Sequence, residues 1–390
     1  MLQELRPARF ERVRSLFCGF DYSLSIQAAI EGNNPGRIFV DDAARPRTAL
    51  ALTIEGYLLA GDDGNPETNA ALSRLIQDRI FTGDVFVNGE TSMSLAVHPE
   101  AWAERLPELI PTHEVERLER YHYLCREVHF DWCQHVPDGY AVRRMDTTLL
   151  DDATVVFREA VRDWVDIEQV WWTMENLLAK GASFVVVHEG QVVAWCTPDC
   201  VAGDRIDVGV ITHPAHRRRG LAAVVVAATV DHCLDHGFSA VGWHCNADNV
   251  GSWRTGEKVG FERAGAYTYY YYMCDPIDHL AELGWYYYRR GEYARTVHYY
   301  EQVFAQRDEN PDYYYHLAAL AWAELGKREK ALEYLWAAAD RGWAHAEWTK
   351  QQEAFSILHG LPEWGAILGR MESKWIGRSP IARSATHSHV

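Results

Sequence analysis

The sequence predicts an α+β fold with a mixed sheet, built as a pseudo-tandem pair and followed by an all-α helical-repeat region. Strand-like and helix-like segments alternate twice, up to about Pro137 and again from Asp138 to Cys274. After Pro276 the strand pattern disappears. Glycines then recur at 291, 326 and 360, spaced by 35 and 34 residues, each between helical stretches. A chain of 390 residues has room for two or three ordinary domains, and 48% hydrophobic with 24% charged residues is a globular composition.

In residues 1–137 the elements read in order as helices near Ala8 to Phe17 and Tyr22 to Glu31, then extended pieces "RIFVDD", "RTALALTIEGYLLAG" and "SMSLAV". Between the last two, "NPETNAALSRLIQDRIF" opens on a proline and spaces Leu72, Leu75, Ile76 and Ile80 along one helical face. "HPEAWAERLPELI" reads as a further helix.

In residues 138–274, "DATVVFREAVRDWV" and "DIEQVWWTMENLLAKG" read as helices, and "SFVVVHEGQVVAWCTP" as a hairpin turning at Glu189-Gly190. Pro198 and Asp199 look like the exit of its second strand. There follow a strand "RIDVGVIT", a helix "GLAAVVVAATVDHCLDHG" closed by Gly237, a strand "SAVGWHC", and a short helix "NVGSWRTGEKVG" ending at Gly260.

In residues 275–375, "GWYYYRRGEYARTVHYYEQVF" and "LAWAELGKREKALEYLWAAA" each read as helix-turn-helix, and "FSILHGLPEWGAILGRM" as a degenerate third copy. Gly284, Tyr287, Gly291, Tyr293 and Tyr300, then Trp322, Gly326 and Ala331, resemble the tetratricopeptide repeat, although Thr296 stands where a small alanine is usual. Such repeats offer a concave surface, so a protein partner or cover over the preceding domain is implied. The polar tail 376–390 is expected to be disordered.

A formal net charge of -17 repels phosphate backbones, so nucleic acid is not an expected partner. The longest apolar runs are too short for a membrane span, and no secretory leader is read at the amino terminus. The eight cysteines show no metal-knuckle spacing; Cys196 and Cys200 have no second pair to accompany them. A cytoplasmic protein with reduced thiols and no metal is expected.

Within this acidic chain, "THPAHRRRGLA" (212–222) places three arginines before a glycine at the start of a helix. A strand feeding a helix through a tight turn aims the first-turn N–H groups and the positive end of the helix dipole at one point, which suits an anion. The spacing Arg217-x-x-Gly220-x-Ala222 resembles the pyrophosphate loop of the GNAT superfamily of acetyl-CoA-dependent N-acyltransferases. "WHCNADNVGSWRTGEKVGF" resembles that superfamily's second signature, with Asn249, Ser252, Gly260 and Phe261 at the family offsets. The two cover residues 138–274. The first 137 residues loosely echo the second half of such a domain without R-x-x-G-x-A, as a degenerate copy completing the acceptor cleft; an unrelated α+β domain is the alternative.

The resemblance implies acetyl-CoA as co-substrate and direct acetyl transfer to a primary amine, on a small molecule or a protein. The main chain of Val210 and Thr212 would pair with the pantetheine arm. The amides of Arg217, Arg218, Arg219, Gly220, Leu221 and Ala222 would hold the pyrophosphate. Asn249 would contact the pantetheine arm, and Ser252 that arm or a phosphate. The strands "DVGVIT" and "AVGWHC" would splay to admit the acceptor. Where the family commonly carries a tyrosine as general acid, seven residues after the asparagine, this chain has Gly256. An acyl-CoA-binding scaffold that has lost catalysis, its helical repeats binding a partner, is the rival reading.

Asp207 and His244 are the candidates for the base that takes the amine's proton. His213 and His216 flank the loop and are read as shaping it. Tyr269 to Tyr272 are candidates for protonating sulfur, or else packing residues. Trp164, Trp171, Trp172, Trp195 and Trp253, with Asp163, Asp166, Glu168 and Glu175, would hold a cationic acceptor or form an aromatic core under an acidic face.

Overall fold

Two runs of alternating apolar residues, each interrupted by amphipathic helices, build one mixed sheet. The computed structural model describes residues 2–83, 91–156, 170–180 and 183–375. The chain forms two compact units, Met1–Tyr272 and Met273–Val390.

In the first unit the chain runs β1 (Gln3–Glu4), α1 (Leu24–Glu31), β2 (Gly36–Val40), β3 (Thr48–Thr53), β4 (Gly56–Gly61), α2 (Pro66–Leu75), β5 (Ser92–His98), α3 (Trp102–Leu109) and β6 (Glu116–Cys125). A second pass follows: β7 (Tyr140–Arg144), α4 (Thr147–Leu150), α5 (Met174–Lys180), β8 (Phe184–His188), β9 (Gln191–Ala202), β10 (Arg205–Thr212), α6 (Leu221–Asp235), β11 (Ala240–Asn246), α7 (Val250–Val259) and β12 (Glu262–Met273). The strands form a 12-stranded sheet in the order β1-β2-β3-β4-β5-β12-β6-β11-β10-β9-β8-β7.

That order is two copies of one pattern with their last strands exchanged. β1 to β4 are antiparallel and β4 pairs β5 in parallel around α2; β7 to β10 are antiparallel and β10 pairs β11 in parallel around α6. β12 then lies beside β5, and β6 beside β11. The cores record the exchange. Tyr270 and Tyr272 of β12 pack with Leu59, Ile76 and Trp102 of the first copy, and Tyr123 and Cys125 of β6 pack with Val224, Val241 and Phe261 of the second. The boundary expected after Pro137 falls between β6 and β7, inside the first unit, where both copies share one sheet.

Local chemistry explains most element ends. Asn65 caps α2 by accepting from the N–H groups of Glu67 and Thr68. The β8–β9 hairpin turns at Glu189 (φ 50) and Gly190 (φ 72), as a two-residue loop requires. Three expectations are corrected. Residues Pro7–Phe17 form a 3-10 helix. Asp152 to Val156 are turn and an isolated bridge to Gln191, and the remainder of that expected helix lies outside the described residues. Pro198 does not end its strand: β9 runs on to Ala202, with Asp199 as the extra residue of a bulge next to Pro198, opposite Asp207 and Val208 of β10.

The second unit is helical: α8 (Pro276–Arg289), α9 (Tyr293–Gln306), α10 (Asp312–Glu324), α11 (Arg328–Arg341), α12 (Ala346–Lys350) and α13 (Pro362–Trp375). Gly291 (φ 73) turns α8 into α9 and Gly326 (φ 70) turns α10 into α11, a conformation that disfavours any side chain. Gly284 lets α8 close on Tyr300, since a Cβ there would lie 2.9 Å from that ring. Before α13 the third glycine, Gly360 (φ 85), follows only a short 3-10 helix, Glu353–Leu358. The tail 376–390 lies outside the described residues.

Candidate active site

β10 and β11 pair at three positions, Arg205↔Ala240, Ile206↔Val241 and Asp207↔Gly242. From Val208 to Thr212, β10 keeps its partner β9 on one edge, and among the described residues no strand pairs the other. The open edge therefore includes Val210 and Thr212, whose backbone groups on that side are available to an extended ligand. Asp207 sits at the fork with 1% of its surface exposed. Gly242 opposite it is obligatory, because a Cβ there would overlap Asp207 Oδ1.

Beyond β10 the chain makes the turn the motif requires. His213 Nδ1 accepts from the Ala215 N–H at 3.3 Å, and His216 Nδ1 shares a 3.0 Å hydrogen bond with Tyr140 OH, so both histidines shape the loop. Arg218 (φ 65) and Gly220 (φ 81) are left-handed, and Gly220 is the N-cap of α6. Arg217, Arg218, Arg219 and Gly220 are exposed, and the Arg217 guanidinium donates to the Thr212 carbonyl at 3.2 Å. The N–H groups of Leu221 and Ala222, in the first turn of a 15-residue helix, have no intrahelical acceptor. They form an open anion cradle.

Asn249 and Ser252 are engaged locally. Asn249 Oδ1 caps α7 by accepting from the Ser252 N–H at 3.1 Å, and Ser252 Oγ accepts from Trp243 Nε1 at 3.0 Å. Gly256 is buried, its Cα facing Phe261 and Trp243. Apolar rings occupy the direction in which a side chain at 256 would point.

The two base candidates converge. His244 Nε2 lies 3.6 Å from Asp207 Oδ2, with 4% and 1% of their side chains exposed. Burial pushes the Asp207 carboxyl up to about 6 and the His244 imidazole down to about 4. Each is thus held toward its neutral form, and His244 is a poor proton acceptor near neutrality. Asp207 Oδ1 and His244 Nε2 have no hydrogen-bond partner among the described residues. His244 Nδ1 shares a 3.1 Å hydrogen bond with Tyr267 OH, and its ring stacks on His122 at 4.7 Å.

Three participants were not legible in the sequence. Tyr267 was overlooked beside the louder tyrosine run, which β12 splits by alternation: Tyr270 and Tyr272 enter the first copy's core, while Tyr267 and Tyr269 line a cleft. Glu55, in the β3–β4 turn, and Arg120, on the unanticipated β6, line the same cleft. The carboxylates of Glu55 and Asp207 and the Cys200 thiol lie within 4.8 Å of one another. Sequence spacing cannot bring residue 55 to residue 207; a shared sheet does.

The expected aromatic pocket divides differently. Trp171 is fully buried and donates to the Pro198 carbonyl at 3.1 Å, Trp172 is 45% exposed, and Trp195 is buried. Asp163, Trp164, Asp166 and Glu168 lie outside the described residues.

The GNAT acetyltransferase family model matches residues 14–270, two thirds of the chain and within the first compact unit. The chain belongs to the GNAT acetyltransferase family. A Bacillus subtilis (strain 168) GNAT relative, described as the uncharacterized N-acetyltransferase YdfB, is 23% identical over 272 residues, 70% of this chain and 98% of the relative. The crystal structure of a GCN5-related N-acetyltransferase-like protein from Streptococcus suis 89/1591 is 25% identical with a TM-score of 0.50, covering 67% of this chain and 98% of that one. The GNAT match thus includes the first copy of the sheet, which carries no arginine loop.

Proposed function

We propose that this N-acetyltransferase moves acetyl from acetyl-CoA to a primary amine by direct attack at the fork between β10 and β11. The observation that carries the reading is the abrupt end of β10–β11 pairing at Asp207↔Gly242, immediately before the Arg217–Ala222 cradle. Pyrophosphate at the amides from Arg217 to Ala222 would lay the pantetheine arm along Val210 and Thr212, with Asn249 and Ser252 beside it. The thioester would then lie near Asp207, opposite the Asp199 bulge of β9.

Asp207 is the base in this reading. It takes a proton from the acceptor ammonium, the amine nitrogen attacks the acetyl carbon, the C–S bond breaks, and the CoA thiolate leaves to be protonated from solvent. His244, neutral above about 4, shares a hydrogen bond with Tyr267 through Nδ1 and places Nε2 3.6 Å from Asp207. No phenol is required at Gly256, because a CoA thiolate is a good leaving group.

Calorimetric titration with acetyl-CoA, followed by thiol release over a panel of amines, tests the proposal. Saturable binding and amine-dependent thiol release are expected. Absence of acetyl-CoA binding to the intact protein overturns it; binding with no turnover on any amine turns the assignment toward a scaffold.

Residues 275–375 read as tetratricopeptide-like, supported by the two antiparallel hairpins and their left-handed glycines, and fit a partner-binding or covering role. A cytoplasmic location is supported by eight free thiols. No helix among the described residues is long and apolar enough to cross a membrane.

A further inference from the structure

A cleft beside the fork is lined by one cation, Arg120, and one anion, Glu55, whose opposite charges attract each other. Arg120 enters from β6, between Asn246 of β11 and Tyr267 of β12. Its Nε is buried without a hydrogen bond among the described residues, and its guanidinium lies 5.9 Å from the Tyr269 ring centroid. Glu55 enters from the β3–β4 turn of the other copy. Its side chain is half-buried; burial raises its pKa, and the positive charge of Arg120 opposes that rise. A buried guanidinium nitrogen is ordinarily hydrogen-bonded, so the unsatisfied Arg120 Nε, in the same cleft as the Glu55 carboxylate, marks a place where a ligand completes the pairing.

The rest of the lining mixes hydroxyl and apolar groups, Leu58 and Ala96 among the latter. Ser23 and Ser25 hydroxyls lie 3.1 Å apart, Ser25 meets Thr53 at 2.9 Å, and Thr53 donates to the Gly56 carbonyl at 2.9 Å. The anionic end is the one beside the chemistry, since Glu55 and Asp207 carboxylates are within 4.8 Å.

We propose that the acceptor is a small zwitterionic amine, an amino-acid-like compound whose carboxylate pairs with Arg120 and whose ammonium pairs with Glu55 beside Asp207. This rests on the acetyl-transfer reading above and narrows its substrate class. A bidentate guanidinium–carboxylate pair fixes the acceptor's orientation, and Glu55 draws in the charged ammonium before Asp207 takes one of its protons. The nitrogen–acetyl bond forms as the C–S bond breaks, giving an N-acetylated acid, CoA thiol and one released proton. A polyamine would place a cation against Arg120, and a long peptide has no carboxylate next to its terminal amine.

The test uses the full chain with acetyl-CoA and matched pairs differing only in the carboxylate: L-lysine and cadaverine, L-ornithine and putrescine, L-phenylalanine and phenethylamine, with a free-N-terminus peptide added. Acceptors in this class are expected to turn over at least about tenfold faster in kcat/KM than their decarboxylated partners. Arg120→Gln should erase that preference mainly through the acceptor KM, Arg120→Lys should restore part of it, and the KM for acetyl-CoA should stay unchanged in both. Thiol release that is equal or faster with cadaverine, putrescine or the peptide overturns the zwitterion and leaves the acetyl-transfer reading standing. An Arg120→Gln loss that is the same for both members of a pair also overturns it. No acetyl-CoA binding overturns both readings together.

Discussion

The two copies in the sheet share a strand plan and differ where a ligand would sit. In the first copy β4 and β5 stay paired from Tyr57↔Leu95 to Ala60↔His98, almost to the end of β4. In the second, β10 and β11 part after Asp207↔Gly242 and leave Val208 to Thr212 open. The turns that follow diverge in charge as well. Asp62, Asp63 and Glu67 stand before and within the start of α2, where Asn65 has already filled the cap; three arginines and an uncapped glycine precede α6. A helix start favours an anion only if its donors are free and its neighbours are not negative. The first copy fails on both counts. It lines the cleft that holds Glu55, and in the proposed reading that cleft takes the acceptor while the second copy takes the donor.

The largest effect expected of any change that breaks this contrast is at the fork. Asp207→Asn should lower kcat by about 10²- to 10⁴-fold. In the parent protein, activity should rise with pH through about 6, because the carboxylate is the active form and burial holds its pKa there. A rate profile that keeps this limb in Asp207→Asn and loses it in His244→Gln would transfer the base to His244. The same substitution has a stability signature of opposite benefit. A carboxyl held above its unfolded value of 3.8 favours the protonated folded state, and that contribution is lost as pH rises through about 6. Denaturant unfolding should therefore find Asp207→Asn more stable than the parent by about 3 kcal/mol above pH 6.5, and equal to it below pH 4.

The strand exchange is next in size. Tyr272, fully buried in the first copy's core, is donated by the strand that ends the second. Tyr272→Ala should cost about 3 kcal/mol or more. One shared transition for both copies is expected; separate transitions would show that the copies fold independently despite their common sheet.

A smaller effect belongs to the cradle. At φ 81, Gly220 has open space around it, so Gly220→Val is opposed by backbone conformation and not by crowding. A left-handed valine costs roughly 1 to 2 kcal/mol, and the acetyl-CoA Kd measured by calorimetry should weaken about tenfold. Smallest of all is the corresponding change in the first copy. Asp62→Asn with Asp63→Asn removes exposed ion pairs to Arg47 and Arg105 and should leave the acetyl-CoA Kd within about twofold. A marked change there would mean that the first copy also meets the donor.

Much of the local structure was legible because it is written in short-range chemistry. The proline and spaced leucines of α2, the Glu189-Gly190 hairpin and the turn glycines at 291 and 326 act within a few residues of themselves. The arginine loop is of the same kind. Strand β6 was hidden because Glu116, Arg117, Glu119 and Arg120 break the apolar alternation, and their strand is placed by partners on both sides, β11 and β12. Pro198 differs for the opposite reason: its local signal is a strand end, while pairing with β10 carries β9 past it through a bulge at Asp199.

By itself the sequence determined the alternation of elements, the loop from Arg217 to Ala222 and the absence of a phenol at 256, since each depends on residue type and spacing alone. Only the tertiary structure decided the exchange of β6 and β12, the fork at Asp207, and the meeting of Glu55, Arg120, Tyr267 and His244. Those residues come from four separate strands and turns, and what joins them is the order in which strands pair, a long-range choice that no local pattern encodes.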